Sequence, residues 1–582
     1  MRWYFILLWA AAYIAVGYPT FAKTVRNILG RECDDDDCAC HGDDNERESL
    51  FNRIFDENLL MAVAAIGAFA IGEYVEGAAV LVLYRFGEYL QDKATGRSRG
   101  SIEALMDIRP DFANVRRNGA TERVTPESVT VGEIIVVAPG ERVPLDAEIF
   151  DGRTSLDTAA LTGEPLPRDV GIGDTILAGM VNISGVITAT VIRPYGESAT
   201  ARILEMTQNA AAHKAKTERF ITRFARYYTP SVVGAAILLA VILIAAGGNI
   251  ADSVRRALVF LVASCPCALV ISVPLTFFAG IGGAAKLGIL VKGANYLEQL
   301  AKADVVVFDK TGTLTTGKFT VINAPDPRVL ELAAYAEFYS THPIAVSIRN
   351  AYSGTLVETR ITEYEEIAGR GVRAVVDGAA VIEVIRGSGA GVDVYENGVV
   401  IGRIELSDTI KSDAKDAVAR LRDLGVRQIG MFTGDASAEA DRVSAQIGLD
   451  FVRSGLLPHE KTEQLPESNG AVVFVGDGIN DAPTLKRADV GVAMGGIGSD
   501  AALESADIVL MSDEPSRLPD AIKIARKTQT IVRQNIVFAL AVKAVVLILG
   551  AAGIATMWAA VFSDVGVALL AVLNATRARA LK

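Results

Sequence analysis

The chain has 582 residues, with 57 basic and 69 acidic side chains and a net charge of −12. It is 51% hydrophobic and 22% charged, and its mean hydropathy is +0.32; the apolar excess over a soluble domain gathers in blocks near residues 3–20, 59–90, 230–247, 257–283 and 534–575. That pattern excludes a small soluble enzyme, a disordered chain, a disulfide scaffold and a channel made only of lipid-buried helices, and the acidic balance argues against nucleic-acid binding.

A membrane helix needs ~20 mostly apolar residues. Seven segments qualify: 3–22, 57–73, 74–92, 229–247, 257–279, 534–553 and 556–575. The first is followed by an acidic loop holding Cys33, Cys38, Cys40 and His41, a donor set that suits Zn²⁺ or Cd²⁺. Segments two and three meet at Gly72-Glu73-Tyr74 and read as a tight hairpin. The insert 93–228, rich in Val, Ile, Thr and Gly, reads as mostly β. The insert 284–533 alternates short apolar strands, such as Val305–Phe308 and Val472–Val475, with helices, as parallel sheets do. Basic residues flank the segment ends that face both inserts, so the inserts are expected in the cytoplasm. Arg255 and Arg256, in an expected loop 248–256, are the exception. Seven spans place Met1 outside, which calls for an upstream helix or an unusual start; a cleaved signal peptide is the alternative.

The strand 304–308 runs into Asp309-Lys310-Thr311-Gly312-Thr313-Leu314-Thr315. A carboxylate at the carboxyl end of a parallel strand sits where α/β sheets bind ligands. It can attack a phosphoryl group, and the Lys, Thr and Gly that follow can supply charge, hydroxyl and backbone N–H to its oxygens. Further on, segment five contains Cys265-Pro266-Cys267. Proline inside a helix removes a backbone hydrogen bond and kinks or unwinds it, which lets both thiols face one site. Thiolates select Cu(I), Zn²⁺ and Cd²⁺. Lys543 on segment six and Asp564 on segment seven are ionisable groups inside the membrane, costing ~2.5–3.5 kcal/mol each on insertion scales, and are functional candidates on that ground.

The Asp309–Thr315 string resembles the phosphorylation signature of the P-type ATPases, and the resemblance runs from about residue 5 to the C-terminus. It implies that Thr433-Gly434-Asp435 is a second phosphorylation-domain loop and that Lys461 contacts phosphate. Asp477-Gly478-Ile479-Asn480-Asp481 would be the magnesium loop, with Asp309, Asp477 and the Thr311 carbonyl supplying hard oxygens. Lys310, Thr311 and Asn480 belong to the same phosphate and nucleotide set. Thr162-Gly163-Glu164 resembles the actuator loop, in which Glu164 positions the water that hydrolyses the aspartyl-phosphate. Glu337, His342-Pro343 and Gly369-Arg370-Gly371 resemble the nucleotide motifs of the heavy-metal branch.

Cys-Pro-Cys together with Lys543 and Asp564 resembles the zinc/cadmium/lead branch of this family. The resemblance implies metal binding by Cys265, Cys267 and Asp564, with Lys543 as a built-in counter-charge, and places Glu76 and Glu88 on the metal path. The expected architecture is a bundle of about seven membrane helices with a β-rich actuator domain, a haloacid dehalogenase-like α/β phosphorylation domain and a small α+β nucleotide-binding domain. The boundaries are 1–92 (with the loop 31–56), 93–228 for the actuator, 229–283, 284–320 with 406–533 for phosphorylation, 321–405 for nucleotide, and 534–582. The expected activity is ATP-driven, Mg²⁺-dependent export of Zn²⁺, Cd²⁺ or Pb²⁺ by a monomer in the lipid bilayer of a bacterial or archaeal plasma membrane, its large domains in the cytoplasm. The alternatives are a Cu(I) pump, a membrane-tethered phosphatase without transport, and a metal sensor built on an inactive pump; Cys-Pro-Cys, Thr-Gly-Glu and the intact catalytic positions argue against the last two.

Overall fold

The computed structural model describes residues 2–28, 57–103, 110–117, 119–162, 167–202, 214–264, 267–324, 326–367, 371–387, 391–435, 437–477, 481–495 and 504–580. The chain divides into two compact units, Met1–Ala301 with Lys523–Lys582, and Lys302–Ile522.

The first unit holds the apolar helices. Arg2–Ile28, Glu57–Ala70 and Tyr74–Glu103 come first, the last two joined through Gly72, whose φ of +89° suits a residue without Cβ. Lys216–Ala245, Ile250–Ala263 and Cys267–Ala285 follow, and Arg517–Ala551 and Met557–Ala575 close the chain. Among the described residues four stretches are long and apolar enough to cross a membrane: Tyr227–Ala245, Ile250–Ala285, Arg517–Ala551 and Met557–Arg579. The expected segments 3–22, 57–73 and 74–92 are largely helical but are not among these four. Glu57–Ala70 has only 14 residues, about 21 Å of helix. Tyr74–Glu103 interrupts its apolar run with Glu76, Arg85 and Glu88.

The expected loop 248–256 is corrected. Asn249 caps a helix that already begins at Ile250, accepting from the Ala251 N–H at 2.8 Å. Arg255 and Arg256 therefore lie on a helix, where both pair with Asp252 at 2.8 Å. Their charge is met one turn back on the same face. Segment five is likewise two helices, one ending at Ala263 and the next starting at Cys267.

Also in this unit is an antiparallel sheet in the order Ala120–Val124, Ala113–Arg117, Ile134–Val137, Ile187–Val191, Ala147–Asp151, Thr175–Ile176. A smaller sheet pairs Thr154–Asp157 with Arg168–Val170 and Val181–Asn182. Alternating residues of these strands are fully buried, among them Val115, Ile135, Ile149 and Leu156. After the strand Thr154–Asp157, the Asp157 carboxylate accepts from the Ala159 N–H at 2.9 Å and opens the short helix Ala159–Thr162.

In the second unit a parallel sheet runs in the order Ile508–Leu510, Val490–Met494, Ala471–Gly476, Ala303–Asp309, Gln428–Phe432, Phe451–Arg453. Its central strands are continuous apolar runs because helices cover both faces. Between Thr315 and Ile410 a six-stranded antiparallel sheet is inserted, in the order Thr315–Asn323, Val399–Ile410, Gly391–Glu396, Ala380–Arg386, Gly371–Val376, Ile361–Ile367. Helices Pro327–Ala336 and Pro343–Ala351 pack on it through Leu332, Tyr335, Ile348, Val384 and Ile404.

Candidate active site and transport site

Sheet register builds the first site. Asp309 lies opposite Phe432, and Phe308 opposite Val475, on the two neighbouring strands. Asp309, Thr433 and Asp477 therefore leave adjacent strands at one edge, where an α/β sheet binds its ligand. Asp309 is buried, and so is Lys461, whose Nζ donates to Asp309 Oδ1 at 2.6 Å and to Asp481 Oδ1 at 2.8 Å. Burial and the negative charge of Asp481 push the Asp309 carboxyl up to about 7, against the pull of Lys461. Burial works to lower the Lys461 ammonium, but the two carboxylates outweigh it and hold it above its usual value.

Lys310 pairs with Asp435, whose N–H donates to Thr433 Oγ1 at 3.1 Å. Thr315 donates to the buried Asp408. At Gly312 φ is +74°, and a Cβ there would lie 3.5 Å from Asp477 Oδ2, so the Asp477 carboxyl packs directly against the loop. Asp481 Oδ2 is buried with no hydrogen-bond partner among the described residues. Two carboxylates on one lysine, one of them with an orphaned oxygen, and a third carboxylate close by at Asp477 fit a small hard cation such as Mg²⁺.

The inserted sheet and the two helices packed on it hold the expected nucleotide residues. His342 caps Pro343–Ala351, its Nδ1 accepting from the Ile344 N–H at 3.2 Å. Glu337 is buried, and burial pushes its carboxyl up to about 7. Arg349 ties the turn together by donating to the Glu337 and Ser340 carbonyls. Gly371 has φ +153°, and a Cβ there would come within 1.9 Å of the Val384 carbonyl oxygen, so only glycine fits.

The second site lies among the apolar helices of the first unit. Lys543 Nζ donates to Asp564 Oδ1 at 2.7 Å and reaches the Ala263 carbonyl at 3.5 Å; the two side chains are 8% and 14% exposed. Ala263 ends its helix two residues before Cys265. The ion pair thus sits against the backbone that leads into Cys-Pro-Cys. Gly87 brings the Tyr74–Glu103 helix close at the same level: a Cβ there would meet Val565 Cγ2 at 2.7 Å. Glu88 pairs with Arg85. Glu76 keeps a buried Oε2 with no partner among the described residues.

Cys33, Cys38, Cys40, His41, Gly163, Glu164, Cys265, Gly369 and Asn480 lie outside the described residues, as do the side chains of Thr162, Cys267 and Pro343. Sequence reasoning missed Asp408, Lys411 and Arg349. The one available signal was the string Asp408-Thr409-Ile410-Lys411 at the point where the chain returns from the inserted sheet.

Residues 303–489 match the haloacid dehalogenase-like hydrolase family, and residues 107–208 match the P-type ATPase actuator domain. The chain is 48% identical over 603 aligned positions to a cadmium, zinc and cobalt-transporting ATPase of Bacillus subtilis (strain 168), covering 99% of this chain and 83% of the relative. It is 50% identical to a zinc-transporting ATPase of Synechocystis sp. (strain ATCC 27184 / PCC 6803 / Kazusa), covering 91% and 77%. A crystal structure of a zinc-transporting PIB-type ATPase in the E2.Pi state aligns with TM-score 0.62 and 34% identity over 99% of this chain and 95% of the other. The chain belongs to the heavy-metal-transporting branch of the P-type ATPases. It is accordingly an integral membrane protein that couples ATP hydrolysis to ion translocation.

Proposed function

We propose that the protein exports Zn²⁺ and Cd²⁺, and Pb²⁺ as a member of the same chemical class, from the cytoplasm of a prokaryotic cell. The Lys543–Asp564 pair against Ala263 is the observation that carries this reading. A buried carboxylate is a hard ligand that would complete, with the two thiols of Cys-Pro-Cys, a site for a divalent ion. The ammonium holds that carboxylate's charge once the metal has left, so the membrane interior never carries it unpaired. A Cu(I) site built on thiols alone has no use for such a pair.

The Lys461 bond to Asp309 supports the following chemistry at the other site. An Asp309 oxygen attacks the γ-phosphorus of ATP, the bond to the β–γ bridging oxygen breaks, and ADP leaves. Lys461 offsets charge on the transferring group. Asp309 and Asp477, with Asp481 beside them, would hold Mg²⁺, which when bound neutralises charge on the phosphate oxygens. Glu337, His342, Gly369 and Gly371 hold the nucleotide, and Glu164 positions the water that later cleaves the acyl-phosphate. The three non-membrane domains act in the cytoplasm, about seven helices cross the bilayer, and the working unit is a monomer. Cys33, Cys38, Cys40 and His41 load or sense the metal.

Vanadate-sensitive ATP hydrolysis in lipid, measured against a panel of metals, tests this reading. Zn²⁺ and Cd²⁺ are expected to stimulate, and Asp309→Asn and Cys265→Ala to abolish the stimulation. Equal stimulation by Cu(I) with unchanged activity in Asp564→Ala would overturn it.

A further inference from the structure

Lys411 is buried where the chain returns from the inserted sheet. Its Nζ donates to the Gly312 carbonyl at 2.9 Å and to Asp513 Oδ1 at 2.7 Å. Its backbone N–H donates to the Leu314 carbonyl at 3.0 Å, and three residues earlier Asp408 accepts from Thr315. The stretch 408–411 therefore braces the loop after Asp309 at Gly312, Leu314 and Thr315. A trans peptide holds its C=O and N–H in one plane, pointing in opposite directions. With the Gly312 carbonyl drawn to Lys411, the Thr313 N–H is fixed facing the other way.

The other partner leads elsewhere. Asp513 stands four residues before the helix Arg517–Ala551, which carries Lys543. The neighbouring residues fasten the same root: Asp413 accepts from the Ser516 N–H at 2.9 Å, and Arg420 donates to the Ser516 carbonyl at 3.1 Å and to Asp520.

We infer that Lys411 is a positioning residue for phosphoryl transfer, and that its two bonds join the phosphate-accepting loop to the root of the helix that bears the transport-site lysine. The Gly312 bond sets the backbone donors that meet the phosphoryl oxygens on Asp309, where a preformed donor costs no reorganisation during the reaction. The Asp513 bond makes the loop and the helix root share one ammonium. This inference rests on Asp309 as the phosphoryl acceptor.

The test uses the full chain in lipid and compares Lys411→Met, Lys411→Arg, Asp513→Asn and the Lys411→Met/Asp513→Asn double variant. Phosphoenzyme formation from ATP is read at saturating nucleotide, and nucleotide affinity is read separately. Lys411→Met is expected to slow phosphorylation about tenfold or more while nucleotide affinity stays within about twofold, and Lys411→Arg to recover most of the rate. The double variant is expected to be no slower than Lys411→Met alone, because both changes remove one link. Phosphorylation at the unsubstituted rate in Lys411→Met overturns the inference. So does a parallel loss of rate, nucleotide affinity and melting temperature without rescue by Arg, which marks a fold role. Strict additivity of the two single variants removes the link to the helix root. Asp309→Asn is run alongside: a phosphoenzyme that survives it sinks the reading of Asp309 itself, a result distinct from each of these.

Discussion

At the scale of single residues, the two sites solve one problem in the same way: each keeps carboxylates out of water and meets them with a lysine. Asp309 and Asp481 share Lys461, and Asp564 has Lys543. Removing one partner of a buried pair costs about 3–5 kcal/mol because the other charge is left unpaired. Lys543→Met is therefore expected to lower the melting temperature in metal-free detergent, and added Zn²⁺ to raise it more than in the unsubstituted protein. A zinc response no larger than that of the unsubstituted protein contradicts the counter-charge role. Glu337 supplies a pH signature. Its carboxyl titrates near 7 rather than 4.5 because it is buried. The folded chain keeps a proton that the unfolded chain has lost between those values. The stability Glu337 contributes is thus complete below about 4.5 and lost as pH rises through about 7. Nucleotide affinity is expected to rise over the same interval, since only the ionised carboxylate accepts a hydrogen bond without donating one. In Glu337→Gln the affinity measured from pH 5 to 8 should be flat.

At the scale of elements, close helix approach depends on particular glycines. Gly87 lets its helix touch Val565, beside Asp564. Val565 is β-branched and has little rotamer freedom with which to yield. Gly87→Val is expected to cost about 1–3 kcal/mol by overpacking and to raise the Zn²⁺ concentration needed for half-maximal ATPase activity. Unchanged melting and zinc dependence would show that the helices separate without consequence. This scale also shows what could be read in advance. Asp309, Lys461 and Asp477 could be picked out in advance because each stands in a short local string that resembles a family motif, and the fold brings them close together. Lys411 and Arg349 were not, because each acts on a backbone carbonyl, and a carbonyl leaves no trace in the identity of the residue that offers it. The helix start at Ile250 was hidden for a similar reason. Arg255 and Arg256 looked like loop residues until Asp252 was placed one turn before them. The parallel sheet was legible from its apolar runs, whereas pairings between strands about a hundred residues apart, such as Thr315 with Ile410, needed the fold.

At the scale of the molecule, Asp309 and the Lys543–Asp564 pair belong to different compact units, yet in the proposed reaction each responds to the other. Such coupling is reciprocal in binding free energy. Zn²⁺ is expected to promote phosphorylation from ATP and to suppress phosphorylation of the metal-free form by inorganic phosphate. Asp564→Asn should abolish both zinc effects while leaving phosphorylation by inorganic phosphate in place. Loss of that back-reaction as well would mean that the substitution disturbs the fold and not the coupling.

The length of one helix sets the mechanical scale of that response. Arg517–Ala551 has 35 residues, about 52 Å at the α-helical rise, well beyond the ~30 Å of a bilayer core. Lys543 stands about 39 Å along it from Arg517. Treated as a stiff rod pivoting at its root, the helix amplifies small rotations: a tilt of about 5° carries Lys543 sideways by about 3 Å. That distance exceeds the 2.7 Å between Lys543 Nζ and Asp564 Oδ1. A tilt of that size is thus enough to unseat an ammonium from its carboxylate, and the lever ratio of the helix makes Lys543 move further than the root does.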